Sequence, residues 1–239
     1  MFGRNPVIER LRFNAKSISK IYLNEKTNPE SILTLARDKK VSCVVLKNKE
    51  FLKLSPHPQA QGVIAEVEEF TYTDYQTLLE LPDKEKYTFI ALSNITDPQN
   101  LGSILRTAAC FGRFSVVIPR HRSVQVNETV LKIACGGENF VPVVQVTNLI
   151  PFLADIKKHG YWVAGGVVDG GEEPAKVSLN FPLCLIIGAE DKGIRPGLIS
   201  HLDFKLSLPM PNAKLSLNAA VATTIFCYEI MRQKSLAKS

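Results

Sequence analysis

The sequence predicts an α/β protein: a small α/β domain followed by a larger one whose parallel sheet is covered on both faces. From residue 87 onward, runs of continuous apolar residues alternate with helical patterns, as expected for strands buried on both sides. Before residue 75 the same alternation occurs on a smaller scale. An acidic, polar stretch, "EEFTYTDYQTLLELPDKEK", separates the two. The expected organisation is a first domain over residues 1–75, a linker over 76–86 and a second domain over 87–239.

In the first domain, "NPVIERLR" reads as a helix with Asn5 as its cap and Pro6 at the first helical position. "SKIYL" and "SCVVL" are strands, "NPESILTLARDKK" is a capped helix between them, and "GVIAEV" is a closing strand. In the second domain the order is "YTFIALSNI", a helix carrying Arg106, "FSVVIP", "VNETVLKIA", "VPVVQV", "LIPFLADIKKHG", "YWVAGGVV" and "PLCLIIGAE". A short helix near "PGLISHL" and a long one from Ser216 follow. Leu101, Ile104, Leu105, Ala108 and Ala109 fall at the spacing of a buried helical face. Arg106 sits beside that stripe, with Gly102, Ser103, Ala109 and Cys110 three and four residues away, so no carboxylate on its own helix can pair with it.

At 239 residues and 45% hydrophobic composition the chain can bury a substantial core. No uncharged apolar run approaches the ~18 residues of a membrane span, and "MFGRNPVIERLR" has charges where a signal peptide needs apolar residues, so a cytoplasmic location without a membrane partner is expected. The cysteines, Cys43, Cys110, Cys135, Cys184 and Cys227, form no CxxC pair and read as small core residues. The histidines are scattered, and no metal site is expected. Net charge is +6, yet residues 1–53 hold twelve bases against five acids, a surplus of seven. The positive potential therefore belongs to the N-terminal part, where it is either a solvated surface or a nucleic-acid footprint.

In a sheet of this kind, ligands bind beyond the carboxyl ends of the strands. Three loops stand out there: "NITDPQN", "GAEDKGIRPG" and "LPMPNAKLSLN". There is no GxGxxG, no GxxxxGK[ST] and no GxSxG, which excludes the common dinucleotide, P-loop and α/β-hydrolase sites. "AGGVVDGGEE" has neither glycine spacing and reads as a turn after a strand.

"SNITDPQNLGSILRTAACFG", "LIIGAEDKGI" and "LSLPMPNAKLSLNAAVATTIFCYE" resemble, in order and spacing, the three motifs of the SpoU branch of the SPOUT RNA methyltransferases. "FGRNPVIERL" and "QAQGVIAEV" resemble the L30e-like substrate-binding domain that precedes the catalytic domain in the 23S rRNA guanosine 2'-O-methyltransferase group. The resemblance implies a deep trefoil knot in the C-terminal part, bound S-adenosylmethionine, a homodimer and structured RNA as partner. Ribosomal RNA is favoured over tRNA, whose enzymes generally lack the first domain, and no DNA is expected. A non-catalytic RNA-binding protein retaining the fold is the reading from another class.

By position, Gly188, Leu208 and Leu217 carry over as residues holding the cofactor, with Ile187, Gly193 and Met210 beside them. Asn100, Arg106, Glu190, Ser216 and Asn218 carry over as catalytic-site residues. Arg4, Asn5, Arg10 and Arg12 are the expected RNA contacts of the first domain. Taken singly, Asn100 reads equally as a helix cap, Glu190 as a loop charge and Ser216 as the cap of the last helix. Taken together, five polar groups on three loops at one sheet edge point to chemistry. The resemblance makes Arg106 the group that activates the ribose hydroxyl; because a guanidinium keeps its proton, a phosphate clamp and charge stabiliser is the better physical role. The third motif departs from the family's pattern at Asn212, where glycine is usual, and at Leu215, where glutamate is usual.

Overall fold

The computed structural model describes residues 1–28, 30–54, 60–211 and 216–236. Asn212 and Leu215 lie outside the described residues. The first domain contains α1 (Arg4–Phe13), β1 (Ile18–Asn24), α2 (Glu30–Asp38), β2 (Ser42–Leu46), α3 (Asn48–Leu54) and β3 (Val63–Val67). Its sheet runs β2-β1-β3, with β1 parallel to β2 and antiparallel to β3. Helix α1 opens two residues ahead of the expected Asn5 cap: Gly3, at φ 100°, precedes the first helical residue, and Asn5 is exposed in the first turn.

The segment expected to be a linker is part of the second domain's packing. It begins with α4 (Tyr75–Leu79), whose Leu78 and Leu79 are buried in that domain's core, while Tyr75 sets its ring edge-on to Phe152 at 5.0 Å. The apolar positions are too few for a periodic signal, so the local sequence reads as spacer.

The second domain then alternates β4 (Thr88–Ser93), α5 (Pro98–Phe111), β5 (Phe114–Pro119), α6 (Glu128–Ala134), β6 (Val143–Val146), α7 (Leu149–Lys158), β7 (Trp162–Gly166), β8 (Leu183–Gly188), α8 (Pro196–Ile199), β9 (Phe204–Leu206) and α9 (Ala219–Leu236). All pairings in its six-stranded sheet, β6-β5-β4-β8-β7-β9, are parallel. Strand β9, three residues at the sheet edge, is too short to show a period in sequence. One core lies under α5 and α9 and includes Leu101, Ile104, Leu105 and Ala108, each fully buried; the other lies under α4, α7 and α8. The expected stripe of α5 therefore faces inward, with Ala109 at its partly buried margin.

The two domains share a packed joint. Leu131 of α6 completes the first domain's core, and the amino group of Met1 donates to Ala65 O at 3.0 Å and lies 3.6 Å from Glu128. Arg10 is buried in α1 and meets Glu138 at 3.1 Å, while Arg10 Nε and Glu138 Oε2 have no hydrogen-bond partner among the described residues. Of the cysteines, Cys184 and Cys227 are buried and burial raises both thiols, Cys43 and Cys135 are half-buried, and Cys110 is the exception to the expected core placement, being exposed.

Candidate active site

Parallel pairing sets Ser93 opposite Gly188, and Gly166 opposite both Ile187 and Leu206, so the loops after β4, β7, β8 and β9 leave the sheet at one edge. A cavity of about 380 Å³ opens there. Ile187, Gly188, Gly193, Leu208, Met210 and Leu217, the six residues expected to hold the cofactor, all line it, as do Glu190 and Ser216. Its walls are mainly apolar with backbone amides between them, and its size suits a ligand of cofactor dimensions.

Gly188 is required by the chain itself. A Cβ built there would lie 2.1 Å from the backbone carbon of Gly193, because the loop turns back sharply, Gly193 N donating to Ala189 O at 2.7 Å. Gly193 completes this turn at φ 61°, in the left-handed region that glycine adopts freely. The glycine pair thus shapes the cavity wall by closing a tight loop. The loop "AGGVVDGG" also contributes to the wall: Gly166, Val167 and Val168 line the cavity, together with Ala222 and Phe226 of α9. By its residues alone that loop reads as a plain turn, although it leaves the same sheet edge.

Beside the cavity, the first turn of α5, the loop after β8 and the segment ahead of α9 are tied by one hydrogen-bond network. Glu190 Oε1 accepts from Asn100 Nδ2 at 3.2 Å, from Asn218 Nδ2 at 2.6 Å and from the backbone of Ala219 at 3.1 Å. Asn218 Nδ2 also donates to Asn100 Oδ1 at 2.8 Å. The alternative capping roles fall to other residues. Asp97 caps α5 by accepting from Gln99 N at 2.8 Å, which leaves the buried Asn100 side chain for the network. Asn218, not Ser216, caps α9, its Oδ1 accepting from Ala220 N at 2.9 Å. Ser216 is exposed on the cavity rim.

Arg106 stands apart from both cavity and network. It is exposed on α5, about two turns beyond Asn100, with no hydrogen bond or ion pair among the described residues. Its charge is felt at Cys135, where burial raises the thiol and the guanidinium opposes that rise. The expected RNA contacts of α1 divide. Arg4 is half-buried and donates to Asn28 O and Ser31 Oγ, Asn5 and Arg12 are exposed, and Arg12 pairs with Glu9 at 2.8 Å. Arg10 is a correction: its side chain is only 7% exposed and its guanidinium is paired with Glu138 in the domain joint, so it is spent on an internal partner instead of standing on the surface for RNA. Its place at i+3 from Val7, on the stripe formed by Pro6, Val7 and Leu11, was the available signal. Among the described residues no group of three or more His, Cys, Asp or Glu is placed to hold a metal ion, and no helix is long and apolar enough to cross a membrane.

Comparison with known proteins agrees with this architecture. The family model described as the SpoU rRNA Methylase family matches residues 87–228, and the one for RNA 2'-O ribose methyltransferase substrate binding matches residues 1–73. A Staphylococcus haemolyticus protein assigned by name to the TrmH family of tRNA/rRNA methyltransferases is 35% identical over 237 residues, covering 97% of this chain and 94% of the relative. The crystal structure of the SpoU methyltransferase AviRb from Streptomyces viridochromogenes, in complex with AdoMet, superposes with a TM-score of 0.80 at 20% identity, covering 99% of this chain and 90% of that one. An AdoMet-bound rRNA methyltransferase from Sinorhizobium meliloti gives a TM-score of 0.78 at 21% identity, covering 97% and 86%. The chain belongs to the SpoU rRNA methylase family and is an RNA methyltransferase.

Proposed function

We propose that the protein transfers a methyl group from S-adenosylmethionine to a ribose 2'-hydroxyl of structured RNA, with a guanosine of 23S rRNA as the favoured target. The observation that carries this reading is the Glu190–Asn100–Asn218 network, which fastens three separate segments beside a mainly apolar cavity. Gly188, Leu208 and Leu217 would hold the cofactor, with Ile187, Gly193 and Met210 alongside. When bound, S-adenosylmethionine supplies an electrophilic methyl group on sulfur.

The remaining work belongs to the chain. Glu190 fixes the two asparagine amides and anchors the start of α9. Asn100 and Asn218, held in this way, orient the ribose from one side, and Ser216 on the rim supplies a further hydroxyl for it. Arg106, with no internal partner among the described residues, is free to engage a substrate phosphate and to stabilise negative charge on the ribose oxygen as its proton passes to solvent water. Residues 1–75 serve as the RNA-binding domain, their charge surplus lying in residues 1–53. The position of β8 between β4 and β7 supports a knotted catalytic domain. Val221, Ile225 and Tyr228, exposed at helical spacing on α9, support a homodimer through that face. With RNA as substrate, the cytoplasm is the compartment we infer.

Mapping of ribose methylation in total RNA from cells with and without the gene tests the reading. Loss of one 2'-O-methyl mark in 23S rRNA is expected. Loss of a tRNA mark instead would move the substrate to tRNA, and an unchanged map would overturn the activity.

A further inference from the structure

The carboxyl edge of the sheet continues beyond the cofactor cavity as a second, cationic hollow. A cleft of about 200 Å³ opens at the ends of β4, β5 and β6, where Asn94, His121, Arg122, Asn148 and Arg195 line it. A recess between this cleft and the main cavity shares Asn94, Arg122 and Arg195 with the former, and Ala189, Asp191 and Lys192 with the latter. The three hollows therefore share walls and run as one groove along the edge.

The groove's two arginines have no side-chain partner among the described residues. Arg122, Arg195 and His121 are exposed, and their side chains make no hydrogen bond or ion pair among the described residues. Lys192 is only 4.0 Å from Asp191, the acid that shares the wall, and its side chain is 77% exposed. The arginines of α1 differ: Arg12 is paired with Glu9, and Arg4 is bonded to Asn28 and Ser31. Two backbone positions where the hollows meet, Asn94 at φ 63° and Arg122 at φ 57°, hold a left-handed conformation that long side chains seldom adopt. The amino end of α7 also borders the cleft; Asn148 satisfies one of its amides, accepting from Ile150 N at 3.1 Å, and the positive end of the helix dipole adds to the field.

We infer that this groove holds the sugar–phosphate backbone of the RNA strand flanking the target nucleotide, with Arg122 and Arg195 on successive phosphates. The inference rests on the reading that the ribose is presented beside the S-adenosylmethionine cavity. A repeating anion matches a row of cations that begins at the cavity wall and extends away from it, whereas one isolated phosphate would leave most of the row unmatched.

The test is fluorescence anisotropy of a short labelled single-stranded polyuridine RNA bound to the full chain across a range of salt. Arg122→Asn keeps a residue that tolerates the left-handed backbone, and Arg195→Ala removes the second charge. Together they should weaken binding about tenfold at low salt and flatten the log–log salt dependence by roughly 0.7 for each phosphate that is no longer neutralised. Arg122→Lys should keep most of the slope. Unchanged melting temperature and S-adenosylmethionine affinity report that the variants are folded. Unchanged affinity and slope in the double variant would overturn the groove, as would displacement of the RNA by millimolar inorganic phosphate. Weakened RNA binding together with full turnover by an Arg106→Ala enzyme would keep the groove and remove the catalytic assignment; the opposite pair would do the reverse.

Discussion

The loops at the carboxyl edge of the second domain and helix α1 of the first domain both carry short motifs, and they fare differently in three dimensions. At the sheet edge, residues drawn from three separate segments converge: Asn100 in the first turn of α5, Glu190 after β8 and Asn218 ahead of α9 bond to one another, and all six expected cofactor residues line one cavity. On α1, four residues taken from one stretch scatter, with Arg10 buried, Arg4 and Arg12 engaged with neighbours and Asn5 exposed. The difference is physical. Motif positions in the loops are constrained by backbone geometry, as at Gly188 and Gly193, so their spacing encodes their meeting place. A surplus of positive charge constrains only a sum. It does not say which cation faces water.

The largest effect should come from the buried pair in the joint. Arg10→Met leaves the buried Glu138 carboxylate without its cation, and a stability loss of about 3–5 kcal/mol is expected by chemical denaturation. Burial raises Glu138 against the opposing pull of Arg10, so folding makes the carboxyl easier to protonate than it is in the unfolded chain. That contribution is full below the ordinary carboxylate range and is lost as pH rises through the raised value. The Arg10→Met defect should therefore be larger at neutral pH than in mild acid. A neutral outcome at both would mean that Arg10 is a surface cation after all, and the contrast between the regions would collapse.

Next in size is Glu190→Ala. It removes the acceptor shared by Asn100, Asn218 and the Ala219 amide, and turnover should fall about tenfold to hundredfold with a stability loss of order 1–3 kcal/mol. Turnover and stability near the parent values would reduce the network to a loop charge. Gly188→Ala sharpens the same side of the comparison, because its Cβ collides with the returning backbone at Gly193. Calorimetry should show S-adenosylmethionine affinity reduced by about tenfold or more, whereas Ala at Asn5 should leave it untouched. The smallest effect is expected for Arg12→Ala: an exposed pair with Glu9 contributes about 0–1 kcal/mol, so stability should hold while RNA affinity drops only a few-fold.

Much of this is legible in the residues. The alternation of strands and helices and the buried stripe of α5 follow from period, and the cavity-lining positions follow from the resemblance of the three motifs to the SpoU family. What escapes does so for identifiable reasons. Helix α4 and strand β9 are five and three residues long, below the length at which a period shows. The β7 loop reads as a plain turn because its glycines fit no known spacing, yet its place after a parallel strand is the relevant fact. The caps of α5 and α9 fall on Asp97 and Asn218 because each is the residue just ahead of the first helical turn, which shifts Asn100 and Ser216 out of that role. Arg106 is the residue whose purpose local structure explains least, since nothing on its own helix or in the network engages it.

The proposed function assigns cofactor holding to the residues of the cavity and hydroxyl activation to Arg106, which stands apart from it. Calorimetric titration of S-adenosylmethionine into the parent and Arg106→Ala proteins, with methyl transfer to unmodified rRNA followed on the same samples, separates the two directly. Matching affinities are expected, together with a fall in turnover of at least about a hundredfold in the variant. Normal turnover by Arg106→Ala, or no binding of S-adenosylmethionine to the parent, would refute this division of labour.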